Sequence, residues 1–213
     1  MNVTVFGATG AIGSQVVDEL QSRGHAVTAY VRSPAKVPAT WGKDVAVVVG
    51  EITDAAAIDR AVDGADAVIS ALGPTLSRTA AGLPLVEGTR HIVAAMRRHG
   101  VRRYVGNATP SVLDPRERPT WQTRLSTLLA KTFLRRAYDE IVGMSEIVMT
   151  SGLDWTIVRF LAPKTGPARG RLRQGFFGFN RLGFAVTRAD IAAFTAAQID
   201  NPRYVGAAPA ISN

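Results

Sequence analysis

Asn2-Val3-Thr4-Val5-Phe6-Gly7-Ala8-Thr9-Gly10-Ala11-Ile12-Gly13 sets a short apolar run before three glycines in the spacing GxxGxxG. The run predicts a strand over Asn2 to Phe6. From about Ala11 to Arg23 the period changes to that of a helix, with Ile12, Val16, Val17 and Leu20 on one face. Gly24 suits the left-handed position after the last turn. Strand, tight turn and helix in this order form the first part of a strand-helix-strand unit.

The alternation continues outward. Ala26 to Val31, Val45 to Val49, Ala67 to Leu72, Arg103 to Ala108 and Trp155 to Phe160 read as apolar strands covered on both faces. Between them, Thr53 can cap a helix carrying Ile58, Ala61 and Val62 inward before Gly64. A helix from about Leu85 to His99 aligns Leu85, Thr89, Ile92, Val93 and Met96, and Gly100 closes it. Two more helical stretches cover Trp121 to Phe133 and Arg136 to Thr150, the second with Ala137, Ile141, Met144 and Val148 in register. Thr187 and Asp190 form a capping box for a last helix to Ile199, and Tyr204 to Ile211 offers a final strand. Pro110 to Pro119 is a loop, and Pro163 to Arg181, rich in Gly, Arg and Phe, reads as a surface excursion. The expected fold is α/β: a Rossmann-like doubly wound parallel sheet, one domain over 1–213, with a small C-terminal excursion on the substrate side.

Glycines at such a turn let the backbone approach a pyrophosphate, whose charge meets free amides at the helix start. The spacing differs from GxGxxG, but its place after the first strand and ahead of repeated strand-helix units favours a dinucleotide. Gly7, Ala8, Thr9, Gly10, Ala11 and Ile12 are the expected phosphate contacts. The second strand ends in Tyr30-Val31-Arg32-Ser33, without the acid that holds the ribose hydroxyls of NAD. Arg32 offers a planar fork for a 2′-phosphate and Ser33 a hydroxyl or amide, so NADP(H) is the expected cofactor, with Lys36 able to assist. Ligands of open parallel sheets lie beyond the carboxyl ends of the strands. Glu51 and Ile52 are therefore expected near the adenine, Ala71, Leu72 and Gly73 near the central ribose or pyrophosphate, and Ala108 and Thr109 near the nicotinamide.

Bulk properties exclude several alternatives. Hydrophobic residues make up 46% and charged residues 20% of the 213, which is ordinary for a globular protein. No apolar run approaches the roughly 18 residues of a membrane span, so no membrane partner is expected. The N-terminal segment lacks the pattern of a signal peptide, which favours the cytoplasm. Without cysteine there are no disulfides or thiolate chemistry, and three histidines make a metal site unexpected. The net charge of +8 is spread along the chain and dominated by arginine, and no nucleic acid is expected. Arg169-Gly170-Arg171-Leu172-Arg173 beside phenylalanines reads as a solvated loop.

Phe6-Gly7-Ala8-Thr9-Gly10 with Gly13, Val31-Arg32-Ser33, Gly50-Glu51-Ile52-Thr53-Asp54, Ser151-Gly152-Leu153-Asp154-Trp155-Thr156-Ile157-Val158-Arg159 and Thr187-Arg188-Ala189-Asp190-Ile191-Ala192 resemble the atypical short-chain dehydrogenase/reductase superfamily, in particular its NmrA-like and biliverdin reductase B/flavin reductase-like NAD(P)H-binding members. The resemblance implies NADPH held by Gly7, Thr9, Gly10, Ile12 and Arg32, with adenine and ribose near Glu51, Ile52 and Leu72 to Gly73. Two departures stand out: Glu51 where the family often has Asp, and Phe160 where proline commonly follows the arginine of the sixth strand. The superfamily's Tyr-x-x-x-Lys pair is absent, since Tyr138 is followed four residues on by Val142 and Tyr104 by Ala108. No catalytic residue is therefore assigned. Thr109, or less favourably Ser111, is the nearest hydroxyl to the expected nicotinamide position, and Thr109 before Pro110 equally suits a turn.

Two functions fit these residues. One is an NADPH-dependent reductase passing hydride to a planar acceptor such as a flavin or quinone, which takes its proton from solvent. The 109–121 loop and the Pro163 to Arg181 segment would then form the pocket, with Phe176, Phe177 and Phe179 either covering the ligand or packing the excursion. The other is a non-catalytic NADP(H) sensor of the NmrA-like kind. A monomer or homodimer suits either. Arg159, inside an apolar strand, is expected to pair with a buried carboxylate, Glu140 or Glu146.

Overall fold

The computed structural model describes residues 1–75, 82–118 and 120–213. Along the chain come β1 (Asn2–Phe6), α1 (Gly13–Ser22), β2 (Ala26–Val31), β3 (Val45–Val49), α2 (Ala55–Val62), β4 (Ala67–Ser70), α3 (Pro84–Arg98), β5 (Arg103–Ala108), α4 (Trp121–Phe133), α5 (Arg135–Met149) and β6 (Asp154–Arg159). Then follow β7 (Pro163–Lys164), β8 (Arg173–Gly175), β9 (Val186–Thr187), α6 (Arg188–Ala197) and β10 (Ala210–Ser212). Eight strands join in the order β3-β2-β1-β4-β5-β6-β10-β8, all parallel except β8, while β7 and β9 form a separate parallel pair. The chain winds one way from β1 to β3 and the other way from β4 to β6. The loops after β1 and β4 therefore diverge and open a crevice at the carboxyl edge.

Alternation along each strand divides the core into two. Val3, Val5, Ala29, Ile69, Val105 and Val158 face α1 and α6, whose Val16, Val17, Leu20 and Ile191 are fully buried. Phe6, Val68, Tyr104 and Ile157 face α2, α3 and α5, meeting Ile58, Ile92 and Met96. Each such aliphatic side chain contributes roughly 2 kcal/mol on burial. Thr4 is a buried polar exception in β1, and its hydroxyl donates to the Ala61 carbonyl at 2.6 Å.

Several boundaries move for identifiable reasons. Helix α1 begins at Gly13 rather than Ala11. Asp54, not Thr53, caps α2, its carboxylate accepting from the Ala57 amide at 3.0 Å. β4 stops at Ser70, short of Leu72: Ala71 N–H donates to the Phe6 carbonyl at 2.9 Å, and beyond it β1 has ended and offers no further partner on that side. The last strand shrinks to Ala210–Ser212, because Pro209 has no amide to donate and Ala208 N–H is taken by Asp114 at 2.7 Å. Pro163 to Arg181 is more than a surface excursion, since its Arg173–Gly175 segment forms the antiparallel edge strand β8 against β10. Of the loop from Pro110 to Pro119, Pro119 lies outside the described residues.

Thr187 caps α6 as expected, its hydroxyl oxygen accepting from the Asp190 amide at 3.1 Å. Asp190 also turns outward from the box. Its carboxylate accepts from the amides of Arg169 (2.9 Å) and Gly170 (3.1 Å) and from the Thr187 hydroxyl (2.6 Å), and so anchors the excursion. Burial opposes ionisation here, but these hydrogen bonds and the Arg169 charge outweigh it and hold the carboxyl below its ordinary value. Such a group contributes stability that is fully present above its unfolded pKa of about 4 and is lost as pH falls through its lower folded value. Asp190→Asn is therefore expected to melt below the parent protein near neutrality, with the difference in Tm narrowing below about pH 4. A gap independent of pH would count against this anchor.

Candidate functional site

The crevice is built around the turn after β1. Gly7 has φ +76°, and a Cβ there would lie 2.9 Å from the Ala71 carbonyl carbon and oxygen, so both conformation and space demand glycine. Gly13 is equally constrained, because a Cβ would meet the Gly7 carbonyl oxygen at 2.0 Å. The turn is closed by Gly10 N–H to Gly7 C=O at 3.0 Å. Helix α1 starts without a side-chain cap and has no acidic residue in its first turn. Its N-terminal dipole thus faces the crevice free to receive an anion. Thr9 and Ile12 are half-buried, Gly10 and Ala11 exposed, whereas the Ala8 methyl is buried in the core and leaves only its backbone for a ligand.

The neighbouring strand ends extend this floor. Arg32 stands exposed past β2 and forms no ion pair among the described residues; Ser33 follows it at the start of a 3₁₀ turn, Pro34–Lys36. Beside them, Gly50 N–H donates to the Val31 carbonyl at 3.0 Å and the Tyr30 hydroxyl to the Glu51 carbonyl at 2.7 Å, which fixes the 50–52 loop and leaves the Glu51 side chain exposed. Burial first, then Asp54 and Glu51, pushes the Tyr30 hydroxyl up to about 12, so it stays a hydrogen-bond donor. Ile52 wedges against α3 at Gly88, where a Cβ would lie 2.4 Å from its Cγ1. Ala71 and Leu72 are half-buried against the Gly7 turn and Gly73 is exposed. At β5, the Ala108 side chain is buried and its carbonyl accepts from Phe160 N–H at 3.1 Å; the Thr109 carbonyl closes a turn with Val112 N–H at 3.1 Å.

On the β6 side, Arg159 is fully buried and its partner is Glu117, with Nη2 to Oε1 at 2.5 Å and Nη1 to Oε2 at 2.7 Å. This corrects the expectation of Glu140 or Glu146. Glu140 instead lies at the start of α3, accepting from Leu85 N–H at 3.2 Å with Arg136 3.6 Å away, and Glu146 is exposed. Arg159 also donates to the carbonyls of Ala208 and Val112, both at 2.7 Å, and Glu117 accepts from Phe177 N–H at 2.8 Å. A sequence signal existed in Asp114-Pro115-Arg116-Glu117, a turn with two carboxylates closed by Glu117 N–H to Asp114 C=O at 3.0 Å, but nothing local pointed it at a strand 42 residues away. The three phenylalanines divide. Phe176 packs edge-on to Tyr204 at 6.3 Å and Phe177 lies under Arg159 at 5.7 Å, while Phe179 is exposed with Arg118 over its ring at 5.3 Å.

A family model described as NAD(P)H-binding matches residues 7–202, from the first glycine of the turn to beyond α6. The chain belongs to this family. It bears out the resemblance to the atypical short-chain dehydrogenase/reductase superfamily drawn from the residues themselves. The chain is 27% identical over 165 residues to the uncharacterized protein YwnB of Bacillus subtilis, covering 76% of this chain and 71% of that one. It is 31% identical over 193 residues to a 3-diazoavenalumate denitrifying reductase of a Streptomyces species, covering 82% of this chain but 60% of that enzyme, and it spans 32% of a 3-beta-hydroxysteroid dehydrogenase of Mycolicibacterium neoaurum. Among solved structures, one from Lactobacillus casei superposes with a TM-score of 0.82 at 22% identity over 100% of this chain and 99% of its own, and the ChuY anaerobilin reductase of Escherichia coli O157:H7 with 0.79 at 19% over 99% and 96%.

Within this NAD(P)H-binding protein no tyrosine has a lysine four residues on. Tyr104 is buried and desolvation pushes it up to about 12. The Lys131 ammonium lies over the Tyr138 ring at 5.2 Å from its centre, reaching it from α4 rather than from four residues further on. Asn107 was not singled out in the sequence: its Oδ1 accepts from the Thr195 hydroxyl at 3.1 Å, and its buried Nδ2 has no partner among the described residues. Glu117→Gln, which leaves Arg159 buried against a neutral group, is expected to cost about 3 kcal/mol in urea unfolding, against less than about 0.5 kcal/mol for Glu146→Gln. Equal effects would mean that Arg159 does not depend on Glu117.

Proposed function

We propose that the protein is an NADPH-dependent oxidoreductase that transfers hydride to a planar acceptor of the flavin or quinone class. The observation that carries the cofactor reading is Arg32, exposed and without an ion pair among the described residues, at the end of β2 where NAD-binding sheets place an acid, beside the uncapped start of α1. In this reading the amides of the Gly7 to Ile12 turn hold the pyrophosphate, and Arg32 and Ser33 the 2′-phosphate. Glu51 and Ile52 border the adenine. Ala71, Leu72 and Gly73 line the central ribose or pyrophosphate, and Ala108 and Thr109 flank the nicotinamide. When bound, the reduced nicotinamide supplies the hydride. The chain's own work is to orient the acceptor and exclude water, through the loop that Glu117 fixes to Arg159. An acceptor protonated by solvent needs no tyrosine-lysine pair, and the similarity to ChuY, an anaerobilin reductase, and to other reductases supports a reductase reading.

A second reading, an NADP(H)-responsive sensor, is favoured by the absence from the sequence of any tyrosine followed four residues on by lysine. Titration with NADPH and NADH, repeated on Arg32→Ala, tests the cofactor. NADPH affinity should fall about ten- to a hundredfold with NADH little changed, the loss of one or two charge-assisted hydrogen bonds. Oxidation of bound NADPH by a panel of flavins and quinones then separates the two: turnover supports the reductase, tight binding without turnover the sensor. Equal loss for both cofactors would remove Arg32 from the phosphate site.

A further inference from the structure

Helix α4 is inside out. At roughly 100° per residue, Trp121, Leu125, Leu128, Leu129 and Phe133 fall on one arc of about 140°. That arc faces solvent, with relative exposures of 72%, 45%, 60%, 48% and 75%. The opposite side, with Thr123 buried and Thr127 and Ala130 half-buried, rests on α5. Small, weakly apolar residues thus pack inward while the large apolar ones point away from the protein, the reverse of an ordinary surface helix. Contiguous exposed apolar surface of this kind marks a contact site.

Charge selects among the surfaces that could cover it. From Arg118 to Tyr138 the sequence contains Arg118, Arg124, Lys131, Arg135 and Arg136 and no carboxylate. Arg124 and Lys131 are exposed on one flank of the apolar arc and form no ion pair among the described residues. An aromatic residue stands at each end of the helix, and exposed Phe179, stacked under Arg118, adds a third near its start. An apolar face bordered by cations, with Trp and Phe among its residues, is the composition of a helix that lies in the headgroup region of an anionic bilayer. A second copy of this chain would bring only more cations to the face, since α4 holds no carboxylate to offset them. Among the described residues no helix is long and apolar enough to cross a membrane, and surface contact requires none. We propose that α4 is a peripheral membrane-docking helix that seats the protein on an anionic lipid surface through Trp121, Leu125, Leu128, Leu129 and Phe133, with Arg124 and Lys131 meeting the headgroups. This goes beyond the proposed reductase and does not depend on it.

The chain carries its own reporter. Of its three tryptophans, Trp41 and Trp155 are buried and Trp121 is exposed, so a change of fluorescence on lipid binding reads α4. The purified protein is mixed with vesicles of phosphatidylglycerol in phosphatidylcholine, and with phosphatidylcholine alone. Binding to the anionic vesicles, reversed by salt, with a blue shift of Trp121 emission and its quenching by brominated acyl chains, is the expected result. Leu125→Gln with Leu128→Gln should weaken partitioning about tenfold per leucine, while Tm stays unchanged because both side chains are already exposed. Arg124→Glu with Lys131→Glu should abolish the preference for anionic lipid. Absence of binding, or equal binding to both vesicle types, overturns the proposal. A dimer in sedimentation that the leucine substitutions dissociate, without vesicle binding, would assign the face to a second copy. A Trp121 shift produced by NADPH but not by vesicles would make α4 a lid.

Discussion

One guanidinium joins the parts of this molecule that have no reason of their own to stay together. Arg159 uses four of its hydrogen-bonding contacts on the carbonyls of Ala208 and Val112 and on both oxygens of Glu117, and lies over Phe177 as well. These belong to β6, the loop leading to β10, the loop after β5 and the segment after β8. Of these, β6 is anchored by its own apolar side chains, Ile157 and Val158 among them, and the others meet it through this one group. Burying the pair costs several kcal/mol of desolvation, which only near-complete hydrogen bonding can offset. The loop is held by a second carboxylate too: Asp114 accepts from Ala208 N–H at 2.7 Å and from Arg116 at 3.0 Å. The β6 side of the crevice is therefore held by directional polar contacts, while the side built on the Gly7 turn is held by close packing of backbone on backbone.

That difference explains what could be read from residues alone. The Gly7 turn, its following helix and the parallel strands depend on local periodicity and on glycines with steric reasons to be glycine, so all were legible. So was the placement of Arg32 at a strand end. Boundaries shifted where a single hydrogen bond decided them, as at Asp54, where a carboxylate one residue after Thr53 has the better reach to the Ala57 amide. Edge strand β8 escaped because Arg173–Gly175 is short and polar, and its pairing with β10 is set by chain geometry rather than by its own side chains. Glu117 escaped because an ion pair across 42 residues leaves no periodic trace.

Helix α4 illustrates a subtler limit. The helix forms over the expected residues, but its faces were not assigned from the sequence. What periodicity does not carry is direction: an apolar stripe says that a helix has two faces, and the assumption that the apolar one points inward comes from experience with closed cores. Here the inward side is specified by the small residues. Thr120 and Thr123 cap the first turn reciprocally, so the helix can start without apolar help from the body of the protein.

The two halves of the crevice also differ in how they can diverge. A turn that tolerates no Cβ at Gly7 or Gly13 restricts sequence at a few positions and leaves the remainder free, provided each strand stays apolar. A chain can thus keep this architecture while sharing only about a fifth of its residues with the solved structures it superposes on. Loops tied by polar contacts impose no such general rule, since any donor and acceptor meeting at the same place will serve. What distinguishes this chain from its structural neighbours is therefore to be sought in Val112 to Glu117 and in the segment around Phe177, and the shared fold constrains neither.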